Sequence, residues 1–279
     1  MSKILVTGAT GNVGKYLIHQ LLLDGHTVRA FCRNPELVDF PKNVEIISGD
    51  ILKKDDVEKA LNNIDKAFLL MSNDHGSIFS SALAVNKIKH VVLLSSYSVE
   101  IDWLSKNNFI AKHHIEGESL LIKNNIPYTF LRPSGFMTTA FQWMDSIKLQ
   151  NKAFLPYPDL AHAIIHPEDI ALCASIALGN DNHIGKSYLL TGPELITPRD
   201  QISILSKEIG KNIEVIQLSK DETIKSMSKN LPSIIVDSIL ELLESKPKII
   251  NVSENVKKLT NTKGIPFSTW AKENSHFFK

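Results

Sequence analysis

The sequence predicts an α/β protein: a doubly wound parallel sheet with a smaller, mostly helical C-terminal lobe. Three observations carry this expectation. Short apolar runs alternate with amphipathic stretches through the first half of the chain, which is the rhythm of βαβ units. The runs are rich in Val, Ile and Leu without clean alternation, as strands covered on both faces are. After Pro133 the rhythm breaks and helical patterns dominate.

The first strand is expected at 4–6 and the first helix at 13–23. Strands follow at 27–32, 44–47, 66–70, 91–94 and 128–131, with helices at 55–61, 77–87 and 109–123 between them. Right-handed crossovers would place these helices on both faces of the sheet. A helix is expected at 136–149, then an irregular stretch over "NKAFLPYPDLAHAIIHPEDIA". Pro167 suits the first turn of a helix running to about residue 178. "KSYLLTG" reads as one more strand. Helices at 198–209, 221–229, 233–243 and 267–278 complete the chain. We expect a nucleotide-binding core over 1–133, completed by about 160–192. A substrate-covering lobe would comprise 134–159 and 193–279.

Bulk properties exclude several function classes. The 279 residues carry 31 basic and 30 acidic side chains, so no strong field points to nucleic acid or to an anionic membrane. Two cysteines, Cys32 and Cys173, sit outside any CxxC pattern and predict no disulfide framework. A cytoplasmic protein is the expectation. The N-terminal apolar run is too short for a signal peptide, and no apolar window approaches the length of a membrane span.

The segment "ILVTGATGNVGKYLI" carries the first functional signal. Gly8 permits a tight turn after the first strand. Gly11 removes a side chain where backbone must approach a diphosphate, and Gly14 lets the new helix pack closely on the strand. Thr10, Asn12 and Val13 complete a turn whose amides, with the helix N-terminus, suit phosphate oxygens. A P-loop is disfavoured: five residues rather than four separate Gly8 from Gly14, and Tyr16 stands where Ser or Thr would hold magnesium. Arg33 follows the second strand, at the place where an NAD site keeps a carboxylate for the ribose 2′-hydroxyl. A guanidinium there favours NADP(H) over NAD(H). Asp50, and Met71, Ser72 and Asn73, follow later strands and should border the nucleotide.

Several segments together resemble the NmrA-like family: the glycine turn, "VRAFCRNPE", "SGDI", "HVVLLSS", "HIEGESLL", "IPYTFLRPSGFM", "HPEDIA" and "GKSYLLTGPELIT". The resemblance runs from about Lys3 to Thr197. The family comprises atypical short-chain dehydrogenase/reductase relatives, among them NADPH-dependent quinone reductases, azoreductases and NADP(H)-sensing regulators without turnover. It implies a Rossmann-like core and a small lobe covering the nicotinamide.

The Tyr-x-x-x-Lys pair of ordinary short-chain dehydrogenases is missing. Four residues after Tyr16, Tyr97, Tyr128, Tyr157 and Tyr188 stand Gln20, Ile101, Arg132, Ala161 and Gly192, and four before Lys112 stands Asn108. A ketone acceptor becomes an alkoxide and needs an acid at once. A quinone becomes a much weaker base that solvent can protonate, so positioning and exclusion of water suffice. An isomerase or epimerase would depend on the missing tyrosine. The expected function is therefore hydride transfer from NADPH to a quinone or similar flat acceptor. The alternative is a non-catalytic NADP(H)-sensing regulator acting through a protein partner.

Candidate catalytic residues are Tyr97 and Lys112. Ser95, Ser96, Lys112, Pro133, Ser134 and Phe136 are expected at the nicotinamide side of the cofactor. Phe136, Met137, Trp143 and Tyr157 form a candidate aromatic wall for the substrate; their plainer reading is core packing between lobes. His162 and His166 are four apart, but the stretch looks extended, so no metal is expected. His114 and Glu118, also four apart, could simply pair. A monomer and a homodimer both fit.

Overall fold

The computed structural model describes residues 1–72, 74–101, 106–245 and 251–279. Seven strands form one parallel sheet: β1 (Lys3–Thr7), β2 (Thr27–Cys32), β3 (Glu45–Ser48), β4 (Lys66–Leu70), β5 (His90–Leu94), β6 (Tyr128–Pro133) and β8 (Lys186–Leu190). Their order across the sheet is β3-β2-β1-β4-β5-β6-β8. Each neighbouring pair is parallel. The order reverses between β1 and β4, and ligands of such sheets bind in the crevice outside the strand ends at that point.

Helices cover both faces, as the alternation predicts. On one face, α1 (Gly14–Leu23) buries Leu17, Ile18 and Leu21 beside Cys173, Ala174 and Ala177 of α6 (Pro167–Gly179). On the other lie α2 (Lys54–Leu61), α3 (Ser77–Val85) and α4 (Phe109–Lys123), whose Val57, Phe79, Leu83 and Leu121 pack on Leu69, Leu93 and Phe130. β1 shows why its sequence does not alternate: Ile4 and Val6 belong to one core and Leu5 to the other. The expected late strand is β8, beside β6.

The lobe departs from expectation in three places. The stretch expected to be irregular contains β7 (Lys152–Leu155), which pairs in parallel with β9 (Glu214–Gln217). The lobe is therefore helical with a two-stranded sheet. Each strand has four residues, too few for a pattern, and finds its partner only through the tertiary fold. The helix expected at 136–149 begins as a 3₁₀ segment, Met137–Trp143, and only α5 (Met144–Gln150) is α-helical. Thr139 there donates its hydroxyl to the Phe136 carbonyl, a local bond that competes with helix formation. A short helix, α10 (Asn255–Thr260), is added where the apolar pattern predicts none.

The remaining helices are α7 (Pro198–Ile209), α8 (Lys220–Met227), α9 (Ser233–Glu244) and α11 (Phe267–Asn274), the last continued by a 3₁₀ turn, Ser275–Phe278. α7 and α8 each start with a reciprocal capping box, from Thr197–Asp200 and Ser219–Glu222. The lobe has its own core of Met137, Trp143, Ile147, Phe267, Trp270 and Phe278. Cys32 and Cys173 are free and buried. Among the described residues no helix is long and apolar enough to cross a membrane.

Candidate functional site

The glycine turn and the loop after β4 meet where the strand order reverses. Gly8 has φ +61°, a left-handed backbone that favours glycine, while a Cβ there would meet only the Leu70 side chain, its Cδ2 tip at 2.9 Å. Gly14 is more constrained: a Cβ would fall 2.3 Å from the Gly8 carbonyl oxygen and 2.8 Å from Ala9 Cα. The helix thus starts in contact with the strand-turn backbone, as expected. Gly11 is exposed and donates its amide to the Gly8 carbonyl at 2.9 Å. A Cβ on Gly11 would meet only that oxygen, at 3.1 Å. α1 has no side-chain cap and no acid in its first turn. The Asn12 and Val13 amides donate no hydrogen bond among the described residues. This N-terminus therefore keeps its orphan donors and partial positive charge. Thr10 is half-buried, and Asn12 reaches Thr138 of the lobe at 3.3 Å.

Arg33 follows β2 at the same edge. It is exposed, and its guanidinium makes no ion pair among the described residues. Its carbonyl accepts from the Ser48 hydroxyl. The other arginine of this region, Arg29, is consumed structurally by Glu45 and the carbonyls ending α2. Asp50 accepts from the Leu52 amide at 3.0 Å, turning the chain into α2. Its carboxylate thus serves a local turn. The donor set fits a dinucleotide: bare amides for a diphosphate and an unpaired guanidinium for a further phosphate.

Other expected residues are placed differently. Asn73 lies outside the described residues. Ser72 is buried and donates to Asp74, which also takes the Gly76 and Ile78 amides. Burial works against the Asp74 charge, and these bonds outweigh it, holding the carboxyl below the usual range. Met71 folds onto α4, filling the space a Cβ on Gly117 would need. Ser95 donates to Glu118 at 2.6 Å, and Ser134 to the Ala163 carbonyl. Both hydroxyls are thus committed within the protein. Ser96 caps the 3₁₀ turn Tyr97–Glu100. Pro133 is buried and Phe136 half-buried, packed on the face that carries α1.

Tyr97 is half-exposed by surface, and burial of its phenol pushes it up to about 12. The phenol therefore stays protonated at neutral pH. Lys112 is exposed on the first turn of α4, without an ion pair among the described residues. The aromatic wall is corrected: Met137 and Trp143 are buried in the lobe core, because the 3₁₀ segment turns them inward. The Tyr157 hydroxyl is spent on Glu244 at 2.9 Å. Phe136 and the Tyr157 ring are half-buried.

Sequence reasoning missed the strongest network at this edge. Glu118, almost fully buried, holds Arg132 through two oxygens at 3.0 and 2.6 Å, and Arg132 also reaches Glu100 at 3.3 Å. Burial opposes the Arg132 charge, and the hydrogen bonds to Glu118 outweigh it, so the guanidinium is held charged. Glu118 therefore pairs with Arg132 and Ser95, not with His114. That imidazole is enclosed and pushed down to about 4 by loss of solvent. The "HxxxE…LRP" spacing held the signal, but only the sheet brings α4 and β6 together. His166 caps α6, accepting the Glu168 amide at 3.1 Å, whereas His162 pairs with Ile196 in a separate bridge.

Known proteins share this architecture. The NmrA-like family model matches residues 1–267. A (4-alkanoyl-5-oxo-2,5-dihydrofuran-3-yl)methyl phosphate reductase of Streptomyces griseus is 30% identical, over 99% of each chain. Quinone oxidoreductase 2 of Escherichia coli is 26% identical, over 99% of this chain and 98% of the relative. The crystal structure of an NADPH-dependent quinone oxidoreductase of Escherichia coli complexed with NADPH superposes with a TM-score of 0.81 at 23% identity, covering 99% of this chain and all of the other.

Proposed function

The chain belongs to the NmrA-like family, and on that premise we propose that it is an NADPH-dependent reductase that passes hydride to a quinone or similar flat acceptor. The observation that carries the reading is the pairing of an uncapped, glycine-cradled helix start with an unpaired Arg33 at one sheet edge. Its relatives that reduce a quinone and a furanone phosphate support the class of chemistry. NADPH would supply the hydride.

The chain's own residues would bind and orient. Gly8 to Gly14 would hold the diphosphate with backbone amides and the α1 N-terminus. Arg33 would take the 2′-phosphate as a charge-assisted pair. Pro133 and Phe136 would wall the reacting end and keep water out. The Tyr97 phenol would donate a hydrogen bond to the acceptor oxygen as charge builds there. Lys112 would add a positive charge to the same end. No group with a pKa near neutrality is needed, because a hydroquinone anion is a weak base that water can protonate.

Arg33→Asp tests the reading. NADPH affinity should fall by roughly 100-fold, since a charge-assisted pair is replaced by repulsion. NADH affinity should change little, and equal loss for both would remove the assignment. Following the nicotinamide absorbance with a quinone panel tests turnover. Tight binding of NADP⁺ and NADPH with no turnover would instead establish the sensor reading.

A further inference from the structure

Asn108 stands one helical turn before Lys112, where the short-chain pattern would have carried its phenol. The asparagine is fully buried and does a different job. Its Oδ1 accepts the Ala111 amide at 3.1 Å and so caps α4. Both protons of its Nδ2 cross to another element. One goes to the Ser238 carbonyl and the other to Glu241 Oε2, each at 2.9 Å. Ser238 and Glu241 lie on neighbouring turns of α9.

At the end of α9, Glu244 accepts the Tyr157 hydroxyl at 2.9 Å and pairs with Lys220 at 2.8 Å. α9 is thereby fastened on one side to a core helix and on the other to the lobe. α4 begins at the sheet edge where β4, β5 and β6 end, so the core anchor lies at the rim of the cofactor crevice. α9 is thus tied by hydrogen bonds and an ion pair to both bodies.

We propose that Asn108 is a positioning residue for the acceptor site: by seating α9 it sets the opening between core and lobe through which the acceptor reaches the cofactor. This rests on the reductase reading above. The glycine turn and Arg33 would hold the cofactor's diphosphate and 2′-phosphate, and neither contacts α9 through a hydrogen bond or ion pair among the described residues, so on this proposal Asn108 governs the acceptor and not NADPH.

Asn108→Asp is the discriminating variant. The carboxylate still caps α4, but it now faces the Ser238 carbonyl and the Glu241 carboxylate with no proton to offer. The acceptor KM should rise by roughly tenfold, the size expected when a hydrogen-bonded anchor becomes a repulsion. The kcat should stay within about two-fold, as for loss of binding rather than of transition-state contacts. NADPH affinity by calorimetry should be unchanged, and amide hydrogen exchange over 233–244 should accelerate. Adding Glu241→Gln supplies a new donor to the aspartate and should recover most of the KM and of the protection.

Wild-type KM and α9 protection in Asn108→Asp would overturn the proposal, as would a double variant no better than the single one. Loss of NADPH affinity in step with KM would overturn it too. If the wild type fails to oxidise NADPH with every acceptor of the panel, the reductase reading fails by itself. Exchange in α9 then still decides whether Asn108 fastens the helix.

Discussion

Individual residues divide by whether backbone or side chain makes the demand. Gly14 answers a demand of the backbone, because its missing Cβ is the space between α1 and the turn after β1. Gly14→Ala should lower stability by ~1–3 kcal/mol, the cost of overpacking against atoms that cannot move aside. It should also displace the amides that would meet the diphosphate, so calorimetry should show NADPH affinity reduced by more than about tenfold. Gly179→Ala is the control. A Cβ there meets nothing within 4 Å, and both readouts should stay at wild-type values. Arg33 answers a side-chain demand, and its place was legible because it follows a strand whose position the apolar run marks. Ser95 and Ser134 were not legible in this way. A serine after a strand looks the same whether its hydroxyl faces solvent or is spent on Glu118 or the Ala163 carbonyl.

At the scale of elements, α6 shows how one helix start serves two purposes. Pro167 and the His166 cap begin the helix, and the "HPEDIA" segment announced that start. It did not announce the second purpose. Asp169, on the first turn, is 3% exposed and accepts the Ile265 amide at 2.8 Å, so it ties the chain before α11 onto the core. Desolvation raises its carboxyl to about 6. The folded value thus exceeds the unfolded one, near 4. Its contribution to stability is complete below about pH 4 and is lost as pH rises through about 6. Asp169→Asn keeps an oxygen for Ile265 and removes the buried charge. The variant should be more stable than wild type by ~1–3 kcal/mol above pH 7, with the gap closing towards pH 4. Urea melts across that range measure it, and a constant gap would show that ionisation is not the cause. The segment Met137–Trp143 makes the opposite point. Its apolar spacing promised an α-helix, and the chain instead forms a 3₁₀ segment in which the Thr139 hydroxyl bonds back to the Phe136 carbonyl.

For the whole molecule, the pH dependence is a sum over groups on different elements. Burial pushes His90, at the start of β5, and His114, on α4, down to about 4. Their folded values lie below the unfolded value near 6.5, so unfolded chains take up these protons first. Stability is present above about pH 6.5 and is lost as pH falls towards 4, by up to ~3 kcal/mol for each histidine. Burial depresses His113, His162 and His166 in the same direction. Asp169 works the other way between pH 6 and 4, but it is a single group. Net acid destabilisation below pH 6.5 is therefore expected in urea melts. A flat profile from 6.5 to 5 would show that these rings are solvated.

The sequence by itself determined the parallel sheet, the faces its helices cover, the glycine turn and the arginine beside it. Each of these follows from spacing along a short stretch, because hydrophobic period and turn chemistry act between near neighbours. Only the tertiary structure decided the β7–β9 pair, the inward turn of Met137 and Trp143, the Glu118–Arg132 pairing and the Asn108 anchor on α9. In each case the partner is remote in sequence or supplied by packing. Burial and a hydrogen-bond partner belong to the folded surroundings and leave no period along the chain.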